Sequence, residues 1–268
     1  PRGVSMSIRE FAERVLESEL LEQKLAAPGE GLDDTNPGPA RFPRWPGRPP
    51  ELTIAPRRTT PRMPAPGGLQ RIQARAIAHH IMANHELQAL EVMGMVLCAF
   101  PDAPAEFRKG LVEVMADEQR HTRMHIERAS ACGIEFGQLP VNGYIWKKAQ
   151  AFTCPLDYLA GMSLVFEGAN LDHTLAFAEA FEQAGDLRGA AVLRTIHKDE
   201  IRHVRFGIEW LKRLKPEGTS DWDAFSDHLH WPLRPSKARG EVFQRDARIE
   251  AGLDPDFVDR LERLEAGE

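Results

Sequence analysis

Asp117-Glu118-Gln119-Arg120-His121 and Asp199-Glu200-Ile201-Arg202-His203 are two copies of one pattern, Asp-Glu-x-Arg-His, each inside a strongly helical stretch. On a helix, a glutamate and a histidine three residues apart lie about 60° apart around the axis and one turn along it, so both reach one ion. Two such helices facing each other offer two imidazoles and two carboxylates. Two more carboxylates from neighbouring helices complete a di-metal set. Glu86, in Ala83-Asn84-His85-Glu86-Leu87-Gln88, and Glu167, in Val165-Phe166-Glu167-Gly168-Ala169-Asn170, stand at matching positions: Glu86 precedes Glu118 by 32 residues and Glu167 precedes Glu200 by 33.

If each interval is a helical hairpin with its two glutamates at one level, the turn falls at the midpoint. The first midpoint lies in Phe100-Pro101-Asp102-Ala103-Pro104, where two prolines stop a helix. The second lies between Gln183 and Ala184, beside Gly185-Asp186, a suitable helix end. The chain therefore reads as an internal two-fold repeat. Glu91 is the rival to Glu86, but five residues turn it about 140° away, and the repeat register selects Glu86. Four carboxylates gathered in one bundle stay ionised only if cations hold them.

Asp117 and Asp199 are expected to accept the second ring N–H of a ligating histidine and fix its tautomer, crosswise: Asp117 to His203 and Asp199 to His121. Arg120 and Arg202 lie about 200° from their glutamates and face solvent or a salt bridge. His125, one turn after His121, reads as structural. His197, where the first repeat has Met115, stands between a structural and a substrate-facing reading. Met82, Met115, Ser163 and Asn170 fall within two turns of the ligands and are candidates to line a pocket.

At 268 residues and 42% hydrophobic, the chain can bury one substantial core of about 150 residues. A net charge of −6 argues against a general nucleic-acid surface. The three cysteines, Cys98, Cys132 and Cys154, have no Cys-x-x-Cys spacing and read as buried free thiols. With no long apolar run and no signal-peptide pattern, the expectation is a soluble cytoplasmic protein without a membrane partner.

Three regions follow. Residues 1–69 hold an amphipathic helix over 8–26, with Phe11, Val15, Leu16, Leu20 and Leu21 as its stripe and Ser7 and Glu10 as a capping box. A strap follows, in which residues 27–69 carry eleven of the twenty prolines. Phe42, Trp45, Leu52 and Ile54 are its expected anchors. Residues 70–215 form the bundle, with helices over 70–99, 104–131, 155–183 and 187–214 and a long crossover, Gly133 to Thr153, between the second and third. Residues 216–268 add short helices over 239–251 and 255–264, anchored by Trp222, Phe225, Trp231 and Phe243.

Glu86, Glu118-x-x-His121, Glu167 and Glu200-x-x-His203 resemble the six-ligand pattern of the ferritin-like di-iron carboxylate superfamily. More narrowly, the proline-rich lead-in, His85-Glu86-Leu87-Gln88-Ala89, Phe166-Glu167-Gly168-Ala169-Asn170-Leu171-Asp172 and Asp199-Glu200-Ile201-Arg202-His203-Val204 are similar to a bacterial family catalogued as domain of unknown function 455. The resemblance implies an all-α, ferritin-like four-helix bundle holding two metal ions, Fe/Fe or Mn/Fe. It implies an oxidoreductase that uses dioxygen or peroxide, an organic substrate and an unidentified electron donor. The alternative is a non-catalytic metal-binding, ferroxidase or peroxide-scavenging protein, and a homodimer is open. Neither Tyr144 nor Tyr158 suits a radical tyrosine, no Cys-x-x-Cys marks a rubrerythrin iron, and Leu90 and Leu171 stand where hydroxylases often have threonine.

Overall fold

In the computed structural model, which describes residues 6–268, the regular elements are helical and no strand occurs among the described residues. The chain divides after Gln150 into two compact units. Each contains one of the two expected hairpins.

The first unit holds α1 (Ile8–Glu17), α2 (Leu21–Leu25), α3 (Ile72–Ala99), α4 (Ala105–Ala131) and α5 (Tyr144–Ala149). The prolines at 101 and 104 separate α3 from α4, as the midpoint requires. From Ala78 to Ala99 every residue of α3 except His85 is buried. A helix apolar on all sides must be enclosed rather than laid on a surface. α4 covers one side and α1 another, so close to Gly94 that a Cβ there would come within 3.3 Å of the Ala12 carbonyl oxygen.

The proline-rich strap is stitched to this hairpin. The Arg41 amide donates to the Cys98 carbonyl at 2.9 Å, and Trp146 Nε1 donates to the Arg44 carbonyl at 3.0 Å. Its firmest attachment is ionic. Glu91 of α3, fully buried, receives Arg48 of the strap at 3.0 and 2.6 Å and faces Lys24 Nζ of α2 at 3.2 Å. Phe42 and Trp45, expected as anchors, are instead 57% and 49% exposed, while Leu52 is buried. An ion pair and backbone hydrogen bonds hold what aromatic burial was expected to hold.

The Ser7–Glu10 capping box is present, but the first helix does not run on to residue 26. In a continuous helix the Leu20 amide would reach the Leu16 carbonyl. Here that carbonyl accepts from Gly47 of the strap at 2.6 Å, and the Leu20 amide turns to Ser18 Oγ at 3.1 Å. A short polar side chain competes with the helix for its own backbone. Leu20 is consequently exposed rather than part of the stripe.

The second unit holds α6 (Pro155–Tyr158), a π-helical stretch (Leu159–Phe166), α7 (Glu167–Gln183), α8 (Leu187–Leu214), α9 (Asp221–Asp227), α10 (Arg245–Glu250) and α11 (Pro255–Arg263). Gly185, at φ +77°, ends α7, and Asp186 caps α8 by accepting the Gly189 amide at 2.9 Å. The π-helical stretch was not expected within the helix over 155–183. It closes on Glu167, whose amide bonds to the Met162 carbonyl five residues back. Alongside it α8 runs so close that a Cβ on Gly207 would lie 2.5 Å from Ser163 Cβ.

The C-terminal segment is tied to α7 by a buried pair. Asp172 accepts from Arg248 at 2.7 and 2.8 Å, while Arg248 also donates to the Gly168 and Ala238 carbonyls. The Gly240 and Gln244 amides also go to Asp172. Asp172 thus holds the chain at both Gly240 and Gln244, and α10 begins at Arg245 rather than near 239. Trp222 and Phe225 pack with Phe257 as ring contacts, but Trp231 is 80% exposed and anchors nothing.

Replacing Glu91 with leucine would leave Lys24 and Arg48 buried without their counter-ion. Urea titration is expected to show a loss of about 3–5 kcal/mol of unfolding free energy. A loss below about 1 kcal/mol would show that the strap does not depend on this ion pair.

Candidate metal centre

α4 and α8 each bury one stripe, Leu111, Met115, Glu118, Thr122 and His125 on the first and Leu193, Ile196, Glu200, Val204, Gly207 and Leu211 on the second. Their spacing is helical, so the stripe that anchors each helix also carries its glutamate inward. The Glu-x-x-His pairs are therefore buried by the packing of the apolar residues around them.

In the first unit, ligand-type atoms of Glu86, Glu118 and His121 all lie within 4.8 Å of one another, and all three residues are buried. His121 Nδ1 is 3.8 Å from Glu118 Oε2 and 3.9 Å from Glu86 Oε2. In the second unit, Glu167, Glu200 and His203 are likewise buried. His203 Nδ1 is 3.9 Å from Glu200 Oε2, and a ligand atom of Glu167 lies within 4.8 Å of one on His203. The same ring nitrogen meets the glutamate three residues earlier in both copies, at nearly the same distance.

These separations are too long for hydrogen bonds. They suit two ligands on one ion, since donors each about 2.0–2.2 Å from a metal stand about 3–4 Å apart. Carboxylate and imidazole donors accept first-row divalent ions, and carboxylate-rich sets suit iron or manganese better than softer metals. Each buried Glu/His group could therefore hold a metal ion.

Asp117 accepts from Arg120 at 2.6 Å, and Asp199 pairs with Arg202 in the same i,i+3 arrangement. The arginines are about half exposed, as their helical angle predicts. His125, read from sequence as structural, lies beside the first group: its Nε2 is 3.8 Å from Glu86 Oε1 and its Nδ1 is 2.9 Å from His79 Nδ1. Burial, reinforced by the neighbouring His79 and His121, holds His125 well below the ordinary histidine value. The signal for His79 was its place seven residues, two turns, before Glu86 on the same face.

His197 belongs to neither group. The Thr174 hydroxyl donates to the Asn170 carbonyl at 2.6 Å, so His197 Nδ1–H is the donor in its 3.1 Å contact with Thr174 Oγ1. Met82, Met115 and Ser163 are buried and Asn170 is half-buried. Of the three free cysteines Cys98 alone is buried.

Two expectations follow. His80 accepts the Gly137 amide through Nε2 at 3.1 Å, and burial lowers it from 6.5 to about 4. The unfolded chain protonates this residue first, so its contribution is complete above pH 6.5 and lost as pH falls towards 4. His80 is expected to account for about 3 kcal/mol of the stability lost across that range, a part of the slope that His80→Gln removes. Separately, ferrous or manganous ion at about 100 times its Kd is expected to stabilise the native protein by about 2.7 kcal/mol. Calorimetry of Glu118→Gln should show that gain largely gone, whereas an equal gain in the variant would place the ion elsewhere.

No helix among the described residues is long and apolar enough to cross a membrane. A family model described as "Protein of unknown function (DUF455)" matches residues 5–259. No curated protein and no solved structure matches the chain.

Proposed function

For this chain, which belongs to that family of unknown function, we propose an oxidoreductase whose two buried half-sites join in one four-helix, ferritin-like bundle around two metal ions. The observation that carries the reading is the duplicated geometry: a histidine Nδ1 3.8 Å from Glu118 in one copy and 3.9 Å from Glu200 in the other. One half-site alone supplies two carboxylates and an imidazole. Together the halves supply four carboxylates, the charge that two divalent cations neutralise.

An iron pair, or manganese with iron, would supply dioxygen- or peroxide-dependent oxidation of an organic substrate. The chain's own residues set the conditions for it. Glu86, Glu118, Glu167 and Glu200 would hold the cations and stay ionised because of them. His121 and His203 would present Nδ1 to the ions, leaving Nε2–H for a carboxylate such as Asp117 or Asp199 to orient. Leu90, Leu171 and Met115, all buried, exclude water from the neighbourhood of the ligands. An electron donor would return the centre to its reduced state between turnovers.

The test is oxygen uptake after anaerobic loading with two equivalents of ferrous iron. The expected result is rapid consumption of about one dioxygen per two ferrous ions, lost in His203→Ala, and sustained when a reductant and an oxidisable organic compound are present. Uptake no faster than for free ferrous iron would overturn the oxidative reading. A single cycle that leaves ferric iron stored, whatever reductant or organic compound is added, would replace it with ferroxidase activity.

A further inference from the structure

A second group of ligand-type side chains lies wholly in the second unit. Cys154 precedes α6, Asp157 lies within it, and His228 and His230 follow α9. Cys154 Sγ is 3.4 Å from Asp157 Oδ1 and 3.7 Å from His228 Nδ1, and Asp157 Oδ1 is 2.6 Å from the same His228 nitrogen. His230 Nε2 meets the other carboxylate oxygen, Oδ2, at 2.8 Å. Thr153 donates its amide and its hydroxyl to Oδ2, each at 2.8 Å.

The arrangement is not that of a nucleophile. A catalytic cysteine needs a histidine that takes the thiol proton at one ring nitrogen while an acid orients it through the other. Here thiol and carboxylate both address His228 Nδ1, so the three atoms converge on one point. Convergence of sulfur, nitrogen and oxygen on a point is what a cation requires.

We infer that Cys154, Asp157 and His228 form a site for a zinc-type divalent cation, with His230 holding the outer carboxylate oxygen of Asp157 in place. A tetrahedral ion with sulfur at about 2.3 Å and nitrogen or oxygen at about 2.0–2.1 Å sets the S···N and S···O separations at about 3.5 Å and N···O at about 3.3 Å. The two sulfur separations already match. The Asp157–His228 hydrogen bond is about 0.7 Å shorter than the N···O separation of such a site, and metal binding replaces it. The thiol proton leaves to solvent, and the His228 proton moves from Nδ1 to Nε2. A thiolate among the ligands selects a softer ion than the all-carboxylate and imidazole groups do. Side-chain exposure of 26% for His228 and 38% for His230, against 4% for Asp157, leaves the group open to an entering ion on the histidine side. The ion would fix the segment after α9 to the start of α6, in place of hydrogen bonds alone.

Cobalt(II) titration of the full-length protein, after chelator treatment, separates this site from the carboxylate groups, because only a thiolate ligand gives a sulfur-to-cobalt charge-transfer band in the near ultraviolet. One equivalent is expected to develop that band, displaced by zinc, present in Glu118→Ala, absent in Cys154→Ser and weakened at least tenfold in affinity in His228→Ala. No band in native protein that keeps its helical circular dichroism would overturn the assignment. So would a band that persists in Cys154→Ser, or one indifferent to His228→Ala.

Discussion

Four glutamates taken out of water are the constraint on which the rest of this protein depends. Glu86, Glu118, Glu167 and Glu200 are each at most 7% exposed, and burial on that scale favours the neutral acid unless positive charge lies close. Three other buried carboxylates are dealt with differently. Glu91 is met by Arg48 and Lys24, Asp172 by Arg248, and Asp34 by Arg108 at 3.0 Å. Glu86 and Glu118 instead face His121, with His125 beyond, and Glu200 faces His203. Imidazoles are ligands for a cation as much as partners for a carboxylate, which is why these groups point to metal and the guanidinium pairs point to structure.

The two kinds of buried charge cooperate. In the first unit, the Glu91 network pulls the strap and α2 onto α3 and helps enclose the helix that carries Glu86. In the second, Arg248 reaches the carbonyl of Gly168, the residue after Glu167, and draws the C-terminal segment against α7. Removing one partner from such a pair is far costlier than the pair's net contribution. These ion pairs therefore penalise any rearrangement around the glutamates more than they add to stability.

Much of this was legible in the sequence, because it depends on spacing. Helical period put Glu118 with His121 and Glu200 with His203, intervals of 32 and 33 residues selected Glu86 over Glu91, and the midpoints found Pro101–Pro104 and Gly185. What was not legible depends on competition for backbone groups between residues distant in the chain. Gly47 takes the carbonyl that would have continued α1, and Asp172 holds the chain just ahead of α10. Neither leaves a local mark. The π-helical turns before Glu167 and the exposure of Trp45 and Trp231 belong to the same class, since composition marks an aromatic residue as apolar without saying whether a partner surface reaches it. His79 and His125 differ in kind: each alone reads as an ordinary core histidine, and only the fold sets His125 3.8 Å from Glu86 and His79 2.9 Å from His125.

We propose that the two half-sites, one in each unit, serve one centre. Anaerobic ferrous titration followed by Mössbauer spectroscopy tests it most directly, using native protein and a variant altered in only one half, Glu118→Ala. Two ferrous ions per chain are expected in the native protein, with weakened binding of both in the variant, including the ion nearer His203. Binding of one ion that is untouched by Glu118→Ala, or of none, would contradict it.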